Sequence, residues 1–301
     1  MTDFPDVLVA GYASIDLVWT AESVPGPDRT AILTGPVEPE PRFGGCAPIV
    51  AMQLARQGQS AGLVSWLGDD APGRAYRVEL ESAGVDTTFT VFAPGQASPR
   101  SLLIYDPNGG VTCCFHPSGS AAQTLDAGTA GQMEQVRALA LTVGPARLTS
   151  ALLERRPRGS IVAWDVKADP DAFPLSLRAQ LLRQAQVITL NRGELAFVAD
   201  GVPGVAADTD DEALLQRIRS VTSGVLAITS GGSGARVVWP DGDVQLPADA
   251  VTDVDPTGAG DVFFAGFVGA KLRRLDPIAA GRLATAAAAS FLRDRKRERS
   301  L

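Results

Sequence analysis

Ala138-Leu-Ala-Leu-Thr-Val143, Ile161-Val-Ala-Trp-Asp165, Val187-Ile-Thr-Leu190 and Val225-Leu-Ala-Ile-Thr229 punctuate the second half of the chain. Each is a short, nearly uninterrupted apolar run, which suits a strand buried on both faces. Helical patterns separate them, for instance Asp211 to Val221. Strands alternating with helices predict an α/β fold in three αβα layers, with a mostly parallel central sheet.

Working outward, Asp6-Val-Leu-Val-Ala-Gly11 reads as a first buried strand. From Val24 to Pro41 the prolines Pro25, Pro27, Pro36, Pro39 and Pro41 forbid a helix and mark short extended pieces. A helix is predicted from Cys46 to Arg56, stopping at Gly58, and a single strand from Ala61 to Leu67. A second helix runs through Val78 and Leu80 and closes at Gly84. Between Phe89 and Phe115, Asp106-Pro-Asn-Gly-Gly110 separates Ser101-Leu-Leu-Ile-Tyr105 from Val111 to Phe115, a strong hairpin signal. Residues of about 12–42 and 88–118 are therefore expected to form a small β layer apart from the main sheet, within a single domain spanning 1–301. The basic end, Arg293 to Arg299, reads as a frayed, solvated last helical turn.

The 301 residues carry 27 Lys and Arg against 34 Asp and Glu, a net charge of −7. That balance argues against nucleic-acid backbone or an anionic membrane surface as the main partner. His116 is the single histidine, so a multi-histidine zinc site is excluded. Cys46, Cys113 and Cys114 are odd in number, two are adjacent, and no C-x-x-C occurs. A disulfide framework is not expected, and a reducing cytoplasm fits. No signal peptide and no membrane-length apolar run are read in the sequence.

The strongest chemical signal is Asp255-Pro-Thr-Gly-Ala-Gly-Asp261, leading into Val262-Phe-Phe-Ala-Gly-Phe-Val268. Apolar residues cover this helix on all sides, so it should be buried. Gly258 and Gly260 permit close approach to a helix start whose first N–H groups lack partners, which makes an anion site. Asp261 puts a carboxylate in the same place, and the combination suits phosphoryl transfer to a hydroxyl. The plainer reading is that Thr257 or Asp261 simply caps the helix. Neither a P-loop nor a dinucleotide-binding first turn is present.

Four weaker signals accompany it. Asp16 lies just beyond the first strand, where open parallel sheets place ligands, although an exposed turn aspartate would look the same. Gly44-Gly45 precedes a helix and allows backbone to approach a ligand, or merely forms a turn. Asn191 and Glu194, three apart at a strand end, could hold hydrated magnesium and phosphate oxygens, or form an ordinary helix cap. Thr229-Ser-Gly-Gly-Ser-Gly234 could lie under a nucleotide or form a tight turn.

Together these pieces resemble the ribokinase-like (PfkB) family of carbohydrate and nucleoside kinases, from Gly11 to about Phe291. Gly44-Gly45 with Ala51 and Leu54-Ala-Arg-Gln-Gly58 is similar to the family's N-terminal signature, and Asp255 to Asp261 with Phe263 and Gly266 to its C-terminal one. The resemblance implies a ribokinase-like fold with a β lid, ATP and Mg2+, and a sugar or nucleoside acceptor. It implies Asp261 as catalytic base and Gly258, Ala259 and Gly260 as the anion hole. Asp16, Gly44 and Gly45 would contact the acceptor, while Asn191 and Glu194 would serve the phosphates and the metal. Thr229, Gly231 and Gly234 would line the nucleotide site, and Asp165 with Lys167 could approach the phosphates. It leaves open whether K+ assists near Asp255, and exposed strand edges make a homodimer through the lid reasonable. One position departs: where many members carry an acceptor-binding asparagine, this chain has Ile49. That departure favours an acceptor less polar than ribose, such as a nucleoside. It also gives the rival expectation, a non-catalytic small-molecule binder on a kinase scaffold.

Overall fold

Val7–Ala10 lies between Ala61–Val64 and Ala138–Leu141 and pairs in parallel with both. The computed structural model describes residues 4–26, 28–36, 40–107, 110–202, 210–249, 251–252 and 254–298. From Ala138–Leu141 the sheet continues in parallel through Ile161–Asp165, Val187–Asn191 and Val225–Thr229. It ends in two antiparallel strands, Ala235–Trp239 and Gly242–Leu246. Eight strands thus form a mostly parallel sheet, and the carboxyl ends of six of them share one edge.

The strands are apolar throughout because helices cover both faces. On one face Cys46–Arg56, Ala259–Leu272 and Pro277–Glu298 pack against residues such as Val9, Leu63, Ala140 and Val237. On the other, Ala146–Arg155, Leu175–Gln184 and Asp211–Arg219 cover Leu8, Leu139, Trp164 and Ile188. Among the described residues, no helix is long and apolar enough to cross a membrane.

A second sheet is built from two separated segments. Ser14–Ala21 pairs with Leu33–Pro36, with Arg42–Gly44 and, in parallel, with Arg100–Tyr105. Arg100–Tyr105 pairs with Val111–His116 as an antiparallel hairpin, whose Asn108-Gly109 turn lies outside the described residues. Cys113 and Cys114 are both exposed, because this outer strand is open on each face.

Two local expectations need correction. The single strand predicted over Ala61 to Leu67 is two strands. Buried Ser65 interrupts it, turning its hydroxyl onto the Gly11 carbonyl at 2.7 Å, and Trp66–Gly68 then leaves the main sheet to pair with Val91–Ala93. A single serine in an otherwise apolar window does not reveal such a bend, since the pieces on both sides are buried.

The basic end is solvated only in part: Arg293 and Arg297 are exposed, Arg299 lies outside the described residues, but Arg295 and Lys296 turn inward. The helix Pro277–Glu298 carries it back onto the 251–257 loop, where Lys296 Nζ donates to the Thr252 carbonyl at 2.8 Å. Arg295 meets Asp255 in the same loop, with Nη1 3.5 Å from Oδ2. Charge alone suggested solvent; the carbonyls and the carboxylate that draw these side chains in lie about forty residues earlier.

Candidate active site

The helix Ala259–Leu272 begins at the carboxyl edge of the main sheet and is buried almost throughout. Phe263, Phe264 and Phe267 are each at most 3 % exposed. Burying a side chain of that size contributes roughly 1.5–3 kcal/mol, so packing, rather than a capping bond worth about 1 kcal/mol, holds the helix. Its N-cap is Gly258, at φ +88°, and no side chain caps it. The reading in which Thr257 or Asp261 caps the helix is therefore set aside. Ala259 N–H donates to the Pro256 carbonyl and Val262 N–H to the Gly258 carbonyl, while those of Gly260 and Asp261 find no acceptor among the described residues. The space ahead of Gly260 is open: a β-carbon there would meet no atom within 4 Å. An uncapped helix start facing open space is a receptor for an anion. At Gly258 itself a β-carbon would stand 3.3 Å from Phe291 Cζ and 3.6 Å from Ile49 Cδ1, so apolar groups flank one side of the turn.

Asp261, in the first turn, is 5 % exposed and faces Asp165 at the end of its strand. One oxygen of each, Asp261 Oδ1 and Asp165 Oδ2, is buried without a hydrogen-bond partner. Lys167 stands between them, its Nζ 4.0 Å from the first and 3.8 Å from the second. The other Asp165 oxygen accepts the Thr189 hydroxyl at 2.6 Å from the adjoining strand. Burial, opposed by Lys167 and reinforced by Asp261, pushes the Asp165 carboxyl up to about 7. Chiefly because of Asp165, the Lys167 ammonium is held well above its ordinary range. Cys46 completes the cluster, with its thiol and one oxygen of each aspartate within 4.8 Å of one another. Burial first, and Asp261 next, push that thiol up, so it stays protonated.

Asn191 and Glu194 sit on the next strand end as a capping box, with the Asn191 N–H donating to Glu194 Oε2 at 2.8 Å. Glu194 is buried, which raises its carboxyl. Thr229 pairs in register with Asn191, so the two lie side by side at the sheet edge. Past Thr229 the chain turns tightly into an antiparallel strand, with Ser230 N–H donating to the Gly234 carbonyl at 2.8 Å. Gly234 is fixed by that turn, since a β-carbon would strike the Leu246 carbonyl at 2.0 Å. Gly231, by contrast, faces open space.

Asp16 lies in the small sheet opposite Arg42, buried and hydrogen-bonded to the Ser14 hydroxyl. Burial raises its carboxyl against the lowering pull of Ser14, Ser101 and Arg42. Gly44 is obligatory beside it: a β-carbon there would overlap Asp16 Oδ2 at 1.9 Å. Gly45, at φ +93°, would strike the Tyr12 carbonyl at 2.4 Å. Buried Tyr76 donates to the Gly44 carbonyl at 2.8 Å, and its electrostatic neighbours include Asp16, Cys46 and Asp261. The Gly-Gly turn thus bridges the aspartate of the small sheet and the aspartate of the buried helix.

Asp255 ties the small sheet to the loop ahead of the buried helix. Its Oδ2 accepts Arg42 Nη1 at 2.9 Å, and its Oδ1 accepts the Tyr105 hydroxyl at 2.8 Å and the Thr257 N–H at 2.9 Å. Burial alone would raise this carboxyl; the Thr257 N–H and hydroxyl, Arg42 and Arg295 outweigh it and hold it at about 2. Arg42, Tyr105, Phe291 and Arg295 carried no signal in isolation. Arg42 does immediately precede Phe43-Gly44-Gly45, the one cue available in the sequence.

This combination of a mostly parallel sheet, a small accessory sheet and an uncapped glycine turn beside an aspartate defines a class of phosphotransferases. The pfkB family carbohydrate kinase profile matches residues 5–296, and the chain belongs to that family. The nucleoside kinase of Methanothermobacter thermautotrophicus is 28 % identical over 98 % of this chain and 91 % of its own. A fructokinase of Klebsiella pneumoniae is 32 % identical over 75 % of each chain. The ribokinase of Thermotoga maritima shares the fold with a TM-score of 0.78 at 21 % identity, over 95 % of this chain and 92 % of its own. The Burkholderia thailandensis nucleoside kinase, solved in complex with inosine, gives 0.77 at 24 %, over 94 % and 89 %. The chain is accordingly an ATP-dependent kinase acting on a hydroxyl group of a sugar or nucleoside.

Proposed function

We propose that Asp261 is the base that accepts the acceptor's hydroxyl proton while the turn Gly258-Ala259-Gly260, through the N–H groups of Gly260 and Asp261 that find no acceptor among the described residues, steadies the negative charge of the migrating phosphoryl group. The observation that carries this is the uncapped helix start with Asp261 in its first turn. Asp16, with Gly44 and Gly45, holds the acceptor by accepting hydrogen bonds from its hydroxyls. Asn191, Thr229, Gly231 and Gly234 receive the nucleotide along the strand ends.

Three buried carboxylates, Asp165, Glu194 and Asp261, against one ammonium, Lys167, make a surplus of negative charge. That surplus fits a divalent cation, and Glu194 with Asn191 would hold Mg2+, which neutralises phosphate charge when bound. Closure of the small sheet over the acceptor excludes water and suppresses ATP hydrolysis.

Ile49 and Phe291 beside the glycine turn give the acceptor site an apolar wall, which favours a nucleoside over a free sugar. The nucleoside kinase among the relatives agrees with this choice. The exposed strands Leu33–Pro36 and Val111–His116 leave both edges of the small sheet available for a dimer. Free Cys46, Cys113 and Cys114 suit a cytoplasmic enzyme.

The test is a screen of sugars and nucleosides for acceptor-dependent ADP release with Mg2+. Turnover highest with a nucleoside is the expected result; binding without turnover for every acceptor overturns the catalytic reading.

A further inference from the structure

The loop that leads into the anion turn presents oxygen atoms suited to a monovalent cation: the Asp255 carboxylate and the Thr252 and Thr257 carbonyls. Such cations are held by carboxylates and backbone carbonyls. Here the protein's own cations take these oxygens. Arg295 donates through Nη1 to the Thr257 carbonyl, and the same nitrogen stands 3.5 Å from Asp255 Oδ2. Arg42 donates to that Asp255 oxygen at 2.9 Å, and Lys296 to the Thr252 carbonyl at 2.8 Å. The arrangement is built rather than incidental. The side chains of Arg42, Arg295 and Asp255 are only 14 %, 16 % and 3 % exposed. The Arg295 guanidinium also lies over the ring of Phe291, 5.5 Å from its centroid, and Phe291 in turn borders Gly258. A potassium ion beside Asp255 therefore does not fit the residues present: it would share its oxygens with two guanidinium groups and suffer their repulsion.

We propose that the Arg295 guanidinium stands permanently where a monovalent cation would otherwise bind, so that this kinase needs no potassium to order its phosphate turn. The proposal rests on the assignment of Gly258 to Asp261 as the phosphate site. Its consequence is directional. A fixed guanidinium keeps the Thr257 carbonyl and the Asp255 carboxylate in place at every salt composition, so coupling between K+ and nucleotide affinity should be near unity. Replacing Arg295 by Met removes one of the two guanidinium charges but keeps an unbranched chain, and uncovers the Thr257 carbonyl beside Asp255, which Arg42 still holds, so that K+ can approach.

The experiment compares the full-length wild-type enzyme and Arg295→Met in KCl and in tetramethylammonium chloride at equal ionic strength. Two readouts are taken: ADP affinity by calorimetry and the melting temperature with saturating ADP. Wild type should be the same in both salts, within about twofold in affinity. Arg295→Met should bind ADP more weakly in tetramethylammonium and recover at least about fivefold in KCl. Wild type strengthened several-fold by K+, or an Arg295→Met variant that K+ leaves unchanged, overturns the proposal. Should Arg295→Met not fold, the neutral Arg295→Gln replaces it, with recovery in KCl again expected and its absence counting against the proposal; the wild-type comparison stands in either case. Neither readout needs turnover, so loss of the Asp261 assignment would show in the acceptor screen and leave the salt comparison interpretable.

Discussion

Lys167 Nζ lies 4.0 Å from Asp261 Oδ1 and 3.8 Å from Asp165 Oδ2. An ammonium between two buried carboxylates answers their mutual repulsion. It is also poised to meet a phosphoryl group arriving at Asp261. Lys167→Met should therefore lower kcat by about 10²-fold, the cost of losing one fixed charge from a phosphoryl transition state. ADP affinity should change little, since ADP lacks the migrating group. A non-hydrolysable triphosphate should bind more weakly, and equal losses for both nucleotides would count against this role.

Asp261→Asn keeps the shape of the side chain and removes its basicity. Turnover should fall by about 10²–10⁴-fold, the usual contribution of a positioned base. Nucleotide binding, read by calorimetry, should persist. Full turnover in this variant would refute the assignment.

Asp165 gives a prediction in pH. In the folded chain its carboxyl lies at about 7, against an ordinary value of 3.8. Between those values the folded chain holds a proton that the unfolded chain has released. Stability therefore falls as pH rises through this window and levels off above it. Asp165→Asn should flatten this slope in urea unfolding followed across the window, whatever its effect on absolute stability. An unchanged slope would show that the fall originates elsewhere.

Gly44→Ala tests the link between the two sheets. A β-carbon at Gly44 would overlap Asp16 Oδ2 at 1.9 Å, so Asp16 must move. The expected signature is a rise of tenfold or more in acceptor KM, about 1.4 kcal/mol or more of lost binding, with ATP KM nearly unchanged. A KM change confined to ATP would place Asp16 away from the acceptor.

Much of this architecture could be read in the sequence because its signals are local. The apolar runs at Ala138, Ile161, Val187 and Val225 needed no partner to be recognised, and the helix Cys46–Arg56 starts and stops where its glycines indicated. Gly258 to Asp261 was legible for the same reason. The bend at Ser65 was not, because its cause is a carbonyl on Gly11, far away in sequence. The inward turn of Arg295 at the basic end escaped notice on the same principle: its charge suits water until Asp255 is brought beside it. Lys167 stood out only as a strand-end charge, and the two carboxylates that give it meaning arrive from different elements.

The placement of Val7–Ala10 inside the main sheet has a consequence for how the chain is made. This strand takes Ala61–Val64 on one side, but its other neighbour, Ala138–Leu141, is synthesised much later. Until then a nascent chain carries an open, apolar edge at the future centre of the molecule, the kind of surface that recruits chaperones or wrong partners. The proposed phosphate turn gains its guanidinium later still, since Arg295 follows it in the chain. A chain stalled before Ala138 would thus keep that sheet edge open, and one stalled before Arg295 would lack the guanidinium that meets Asp255.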